Sequence, residues 1–140
     1  MSGTLSTIIN AIETVVVTAG FVKSSEVFDF DVVPASIIHK AFRIESKILR
    51  NEYNIGSQAN PVEEITIWVA YKTYRDLLAA WKTSLDDRET IESAVVNSAA
   101  ILALASDPIL MMNGEASTQK YLEDILVSKL VFTADYLRDI

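Results

Sequence analysis

Residues 64–73 limit the possible folds of this chain more than any other stretch. Alternate residues of this stretch fall on opposite faces, and one face carries Ile65, Ile67, Val69, Tyr71 and Thr73. A period of two is typical of a β-strand, and the many β-branched and aromatic residues favour the same structure. Trp68 lies on the other face, so we expect that face also to be covered, at least in part.

Two more stretches show the same alternation. Residues 36–46 place Ile38, Phe42 and Ile44 on one face and His39, Ala41, Arg43 and Glu45 on the other. Residues 125–136 form the last predicted strand, whose apolar face carries Leu126, Leu130, Phe132, Ala134 and Tyr136. Both patterns predict strands.

The connection between the first two strands is unusually long. Residues 47–61 are mostly polar and carry turn signals at 54–56 and 60–61. Hairpin loops usually have about two to five residues. We therefore predict a protruding loop or hairpin arm over residues 46–62.

Apolar residues at helical spacing predict the helices. The first covers residues 5–19, with Ser2 or Thr4 as its N-cap and Gly20 just past its end. A short helical stretch is expected at 74–85. Residues 86–89, Asp-Asp-Arg-Glu, then have the form of a capping box. They predict the start of a second long helix, which continues to about residue 105.

The remaining signals complete the order of elements. Asp107-Pro108 stops the second long helix, and the apolar run 109–112 meets a turn pair, Asn113-Gly114. The order is therefore α, β, β, α, β, β. It predicts a single α+β domain over residues 1–140, in two layers, with two main helices packed on one antiparallel or mixed sheet of about four strands.

Composition narrows the function. The net charge is −7, from 12 Lys and Arg against 19 Asp and Glu. Sequence-specific nucleic-acid binding and a polybasic membrane anchor are both disfavoured, since each needs a basic surface. The absence of Cys excludes a disulfide scaffold and a Cys nucleophile. No stretch predicts a membrane span or a signal peptide, so we expect a soluble intracellular product.

Catalytic and metal-binding patterns are weak. The single His, His39, has no evident orienting partner, and we interpret it as a structural residue. The acidic residues Asp86, Asp87 and Glu89 are interpreted as helix caps. Glu26, Asp29 and Asp31 lack the Gly and the terminal Glu of an EF-hand loop. We expect no catalytic site, no metal and no cofactor.

Two clusters leave alternatives open. The basic residues Lys40, Arg43, Lys47 and Arg50 form either a solvated strand end or a surface for an acidic partner. The aromatic residues Trp68, Tyr71, Tyr74 and Trp81 belong either to the core or to a stacking platform.

The chain resembles a known family through its order of elements. An N-terminal amphipathic helix ends at Gly20, and the segment VVPASII at 32–38 leads into the first strand. The strand EITIWV at 64–69 follows a polar loop, and the strand LVFTADY at 130–136 comes last. This arrangement is similar to the tail terminator, or tail-completion, proteins of long-tailed bacteriophages of the lambdoid type.

The resemblance implies a non-enzymatic virion protein. Such a protein forms a homo-oligomeric ring, a hexamer in this family, that caps the tail tube and stops its polymerisation. Its implied partners are further copies of itself, the tail tube protein and the neck or connector protein, with DNA passing through the lumen. The implied location is the tail or neck of a virion assembled in the bacterial cytoplasm.

We expect the oligomer and partner contacts in and near the long connection. The candidate residues are Arg43, Lys47, Arg50, Glu52, Tyr53 and Asn54. Two other interpretations remain open, which are another phage neck or head–tail joining protein and a small intracellular ligand-binding accessory domain. A hydrolase or other enzyme that uses the acidic pairs, with Asp86 or Glu89 as the residues to change, is the least supported interpretation.

Overall fold

A computed structural model describes residues 4–53, 58–105, 107, 109–118, 124–136 and 138–139. Its helices are α1 (Leu5–Thr18), α2 (Leu77–Val96) and α3 (Ala99–Leu102). Its strands are β1 (Val22–Lys23), β2 (Ala41–Tyr53), β3 (Gln58–Lys72), β4 (Leu110–Thr118), β5 (Ile125–Asp135) and β6 (Arg138–Asp139).

The strands form one mixed sheet. Its order is β1-β2-β3-β5-β4, and β6 pairs with the start of β3. The four long strands are antiparallel to their neighbours, whereas β1 runs parallel to β2. The two main helices, α1 and α2, pack on this sheet. The predicted α+β class is therefore confirmed.

Both faces of the sheet are covered. On one face, α1 and α2 bury side chains such as Ile67, Tyr71 and Phe132. On the other face, the segment between β1 and β2 places Phe28, Val33 and Ile37 around Trp68. The expectation that the Trp68 face is covered is confirmed.

The first helix forms as its pattern predicts. Thr4 caps its N-terminus by accepting the amide of Thr7, and Ile8, Ile12 and Val16 are fully buried on its inner face. Gly20 follows with a φ of +108°, a conformation that glycine adopts without the steric penalty of a side chain. This glycine lets the chain turn into β1.

The prediction of a helix start at 86–89 is wrong. One continuous helix, α2, begins after Asp76, whose carboxylate accepts the amide of Ala79 at 3.0 Å. Residues 86–89 lie inside it. No cap is needed there, because the helix is continuous, and Asp87 pairs with Lys40 instead. The helix ends at Val96, and the short helix α3 is capped separately by Ser98.

Two strand boundaries also differ from the predictions. β2 begins at Ala41 rather than at residue 36, since Lys40 adopts a φ of 61° that interrupts extended backbone. Asn113 and Gly114 do not form a turn but lie within β4, next to a register shift after Met111. A Cβ on Gly114 would lie 2.6 Å from Cδ of Arg88, so glycine provides the space that this arginine occupies.

The long connection at 47–61 is largely a hairpin. β2 and β3 stay paired from Ala41–Ala70 to Tyr53–Ala59, with one irregularity between Ile48 and Arg50. Residues 54–57 lie outside the described part of the chain. The residues here are polar, but the pairing continues because the backbone hydrogen bonds between β2 and β3 do not depend on side-chain polarity.

Candidate assembly surface

Arg43 is held within its own chain. Its Nε donates to the carbonyl of Phe28 at 2.6 Å, and its Nη1 lies 3.0 Å from Oε2 of Glu45. The guanidinium also lies 5.7 Å from the ring centroid of Trp68. Glu45 completes this cluster by accepting the Trp68 indole N–H. Arg43 therefore fixes the segment before β2 to the sheet.

The other predicted contact residues lie further along β2. The Lys47 side chain is 72% exposed, and its ammonium lies 3.8 Å from Glu64. Arg50 is opposite Val62, while Glu52 and Tyr53 pair with Asn60 and Ala59 at the end of the strand. Asn54 lies outside the described residues. Of the six predicted residues, the structure thus places five on β2.

The basic cluster does not form one surface. The Lys40 side chain pairs with Asp87 of α2, and 3.4 Å separates Nζ from Oδ2. Burial, with the charge and the hydrogen bond of Asp87, raises the pKa of the Tyr71 hydroxyl above its usual range. Lys40, Asp87 and Tyr71 therefore join α2 to the sheet, whereas Lys47 faces solvent.

His39 has a structural role. Its Nδ1 accepts the amide of Lys72 at 3.0 Å, which ties the turn before β2 to the end of β3. Burial lowers the pKa of His39, Lys40 and Lys72 lower it further, and Asp87 opposes them. The neutral imidazole is the form that can accept this bond.

The four aromatic residues divide into two groups. Trp68 and Tyr71 are buried, as expected for core residues. Tyr74 and Trp81 are exposed, at 73% and 44%. Trp81 lies on α2 next to Leu77 and Leu78, which are 48% and 61% exposed. Together with β4 residues 116–118 they line a groove of about 490 Å³. We call Leu77, Leu78 and Trp81 the α2 patch.

Both long edges of the sheet lie open in the part of the chain that the structure describes. Among the described residues, β4 pairs only with β5, and β1 covers only Ala41 and Phe42 of β2. An open edge presents unpaired backbone N–H and C=O groups to any extended chain that approaches it. Apolar side chains stand exposed along both edges: Ile48 and Leu49 on β2, Leu110 and Met112 on β4.

A second depression lies at the other end of the sheet. It has a volume of about 530 Å³ and is lined by Pro34, Ala35, Lys72, Tyr74, Arg75, Asp124 and Ile125. Tyr74 and Arg75 have φ values of 49° and 67°, which are costly for residues with side chains. They turn the chain sharply from β3 into α2.

The acidic residues have local roles. Asp29 accepts the amides of Asp31 and Val32, and Glu26 accepts the Ser36 hydroxyl. Burial, then a hydrogen bond and the charge of Asp107, raise the pKa of Asp135. Among the residues that the structure describes, no three His, Asp or Glu side chains group as metal ligands would.

The α2 patch was not among the predicted contact residues. Its apolar spacing indicates a buried face, and spacing alone does not indicate that these three side chains stay exposed in the fold. No helix in the described ranges is long and apolar enough to span a membrane.

Comparisons with known proteins give a structural match. No protein-family model matches the chain, and no curated protein matches it by sequence. A chain in the structure "Virion of native gene transfer agent (GTA) particle" superposes with a TM-score of 0.59. The match covers 95% of this chain and 93% of that chain at 15% sequence identity. The two chains share a fold.

Proposed function

We propose that this chain is a structural protein of a phage-like virion and, more specifically, a tail terminator. In this role it forms a ring on the finished tail tube, stops tube polymerisation and joins the tail to the head–neck connector. The observation that carries the proposal is the match over nearly the whole length of both chains to a component of a gene transfer agent virion.

The surface of the chain is compatible with assembly. A head-to-tail ring needs two different complementary surfaces on each subunit. The sheet has two open edges of different composition, and the exposed α2 patch adjoins one of them. Large exposed apolar side chains that cluster beside such an edge are typical of protein interfaces.

We propose no enzymatic activity for this chain. Its single His holds a backbone amide, and Asp87 pairs with Lys40, so neither is poised as a general base. The proposed partners are further copies of the chain, the tail tube protein and the neck or connector protein, with DNA passing through the lumen. The proposed location is the tail or neck of the virion.

The test is a tube-capping assay. Tail tubes polymerised from the tube protein of the same particle are incubated with the chain, and their lengths are measured by electron microscopy. We expect shorter tubes with a ring at one end. Tubes that keep their length distribution and bare ends at saturating protein would refute the tail terminator role.

The depression at Tyr74 favours a second candidate, a small ligand-binding accessory domain. Its volume of about 530 Å³ is within the range of small-molecule pockets. A melting screen separates the two functions, because a ligand that binds the folded chain raises the unfolding temperature further as its concentration rises above Kd. Stabilisation that Tyr74→Ala abolishes would support ligand binding.

A further inference from the structure

The outward-pointing groups of β2 can be assigned from its neighbours. The carbonyl of Phe42 accepts the amide of Ser24, so the backbone of Phe42 points away from β3. In extended backbone, residues two apart point to the same side. The N–H and C=O groups of Ile44, Ser46 and Ile48 therefore point to the open edge.

The same reasoning applies to β4. The amide of Thr73 donates to the carbonyl of Asp124. The backbone groups of Asp124 and of every second residue after it in β5 therefore point to β3, and those of the residues between them point to β4. It follows from the β4–β5 register that Gly114, Ala116 and Thr118 point outward. The bond from Arg88 Nη1 to the Gly114 carbonyl, at 3.4 Å, agrees with this assignment.

The directions of the strands suit head-to-tail pairing. β2 and β5 run one way, and β3 and β4 run the other. Because the number of long strands is even, β4 of one copy would be antiparallel to β2 of the next. Repetition of this contact around a ring leaves no open edge, which removes a liability of isolated sheets.

Side-chain faces and charges favour one register. Ala116 and Ile44 both pack on the helix-covered face. Residues of β4 whose backbone groups point outward must therefore be opposite residues of β2 whose backbone groups point outward. If Ala116 is opposite Ser46, Glu115 comes opposite Lys47 on the other face, in a close non-hydrogen-bonded pair. A shift of two residues one way places Glu115 opposite Glu45, where like charges repel.

We propose that β4 of one copy pairs with β2 of the next, antiparallel, with Ala116 opposite Ser46 and Glu115 opposite Lys47. This proposal rests on the proposed ring. Ile44 of the second copy would then be opposite Thr118, at the groove beside the α2 patch. The exposed Lys47 side chain thereby acquires a second partner beside Glu64, and the exposed Ile48 comes opposite Gly114 of the neighbouring copy.

Charge reversal tests this pairing. Lys47→Glu and Glu115→Lys are measured by light scattering after gel filtration, each alone, mixed one to one, and combined in one chain. Like charges at the interface should weaken each contact about tenfold in each single variant. The mixture should restore a ring with an even number of subunits, and the combined variant should restore it too.

Two controls isolate the interface. Glu64→Gln removes the partner of Lys47 within the chain and should assemble like the wild type. Thermal unfolding checks that all variants are folded. Folded single variants that assemble like the wild type, or a mixture that fails to assemble, would overturn the pairing.

Tube capping separates this proposal from the proposed function. If the wild type is monomeric in solution, the same variants are compared for capping of tail tubes. Single variants that cap as well as the wild type overturn the pairing alone. Rings that are sensitive to charge but never cap tubes uphold the pairing and refute the tail terminator role. A wild type that neither assembles nor caps refutes both.

Discussion

Asp87 provides the sharpest test of the fold, because the sequence and the structure give it different roles. As a helix cap it would contribute about 1 kcal/mol at the surface. In the structure its side chain is 14% exposed, and its Oδ2 lies 3.4 Å from the Lys40 ammonium, which is 33% exposed. Asp87→Asn keeps the side-chain volume and an acceptor for Tyr71 but removes the charge.

The expected cost follows from this geometry. At an effective dielectric constant near 20, the two charges attract by about 5 kcal/mol before desolvation is subtracted. Removal of one member of a fully buried pair costs about 3–5 kcal/mol. The partial exposure of Lys40 reduces that figure, so we expect Asp87→Asn to lower the free energy of unfolding by about 2 kcal/mol.

Urea unfolding followed by circular dichroism measures this change, and Asp86→Asn is the matched control. Asp86 is the exposed neighbour on the same helix, so its substitution should cost less than about 0.5 kcal/mol. The unfolding temperature of Asp87→Asn should fall by about 7 °C. Equal, small effects at both positions would refute the contact between α2 and Lys40.

Three further predictions concern local structure. The folded-state pKa of His39 is lowered, so the unfolded chain binds the proton more readily. The free energy of unfolding should therefore fall as pH drops below about 6.5. His39→Asn should flatten this dependence in urea titrations between pH 5 and 8. Gly114→Ala should destabilise the fold by about 1–3 kcal/mol in the same assay, and Arg88→Ala should relieve part of that loss. Gly20→Ala should cost about 1–2 kcal/mol through its φ of +108° although its surroundings are open, and a neutral result would contradict that conformation.

The long periodic elements could be predicted from sequence. The core beneath α1 and α2 buries one face of residues 64–73 and 125–136 and the inner face of helix 5–18, so pattern and structure agree there. The boundaries could not be predicted where distant residues decide them. Asp87 looks like a cap until Lys40, far away in sequence, is brought beside it.

The edge strand β4 shows a similar limit. Asn113-Gly114 is a common turn pair, but here pairing with β5 and contact with Arg88 keep it extended. The predicted contact residues stay a prediction. Lys47 is exposed as a contact residue should be, whereas Arg43 is held by Phe28 and Glu45. Apolar spacing in α2 indicates burial, but it does not say whether the same chain or another one supplies the contact.

The solution mass tests the central claim, assembly into a closed ring, most directly. Light scattering after gel filtration, over a range of protein concentrations and salt, should show a discrete species of about 93 kDa, six times the 15.5 kDa of one chain. Such a species should not grow into larger ones as the protein concentration rises, because a closed ring has no free ends. A continuous series of larger species, or a 15.5 kDa monomer in solution that also forms no ring on tail tubes, would contradict the account.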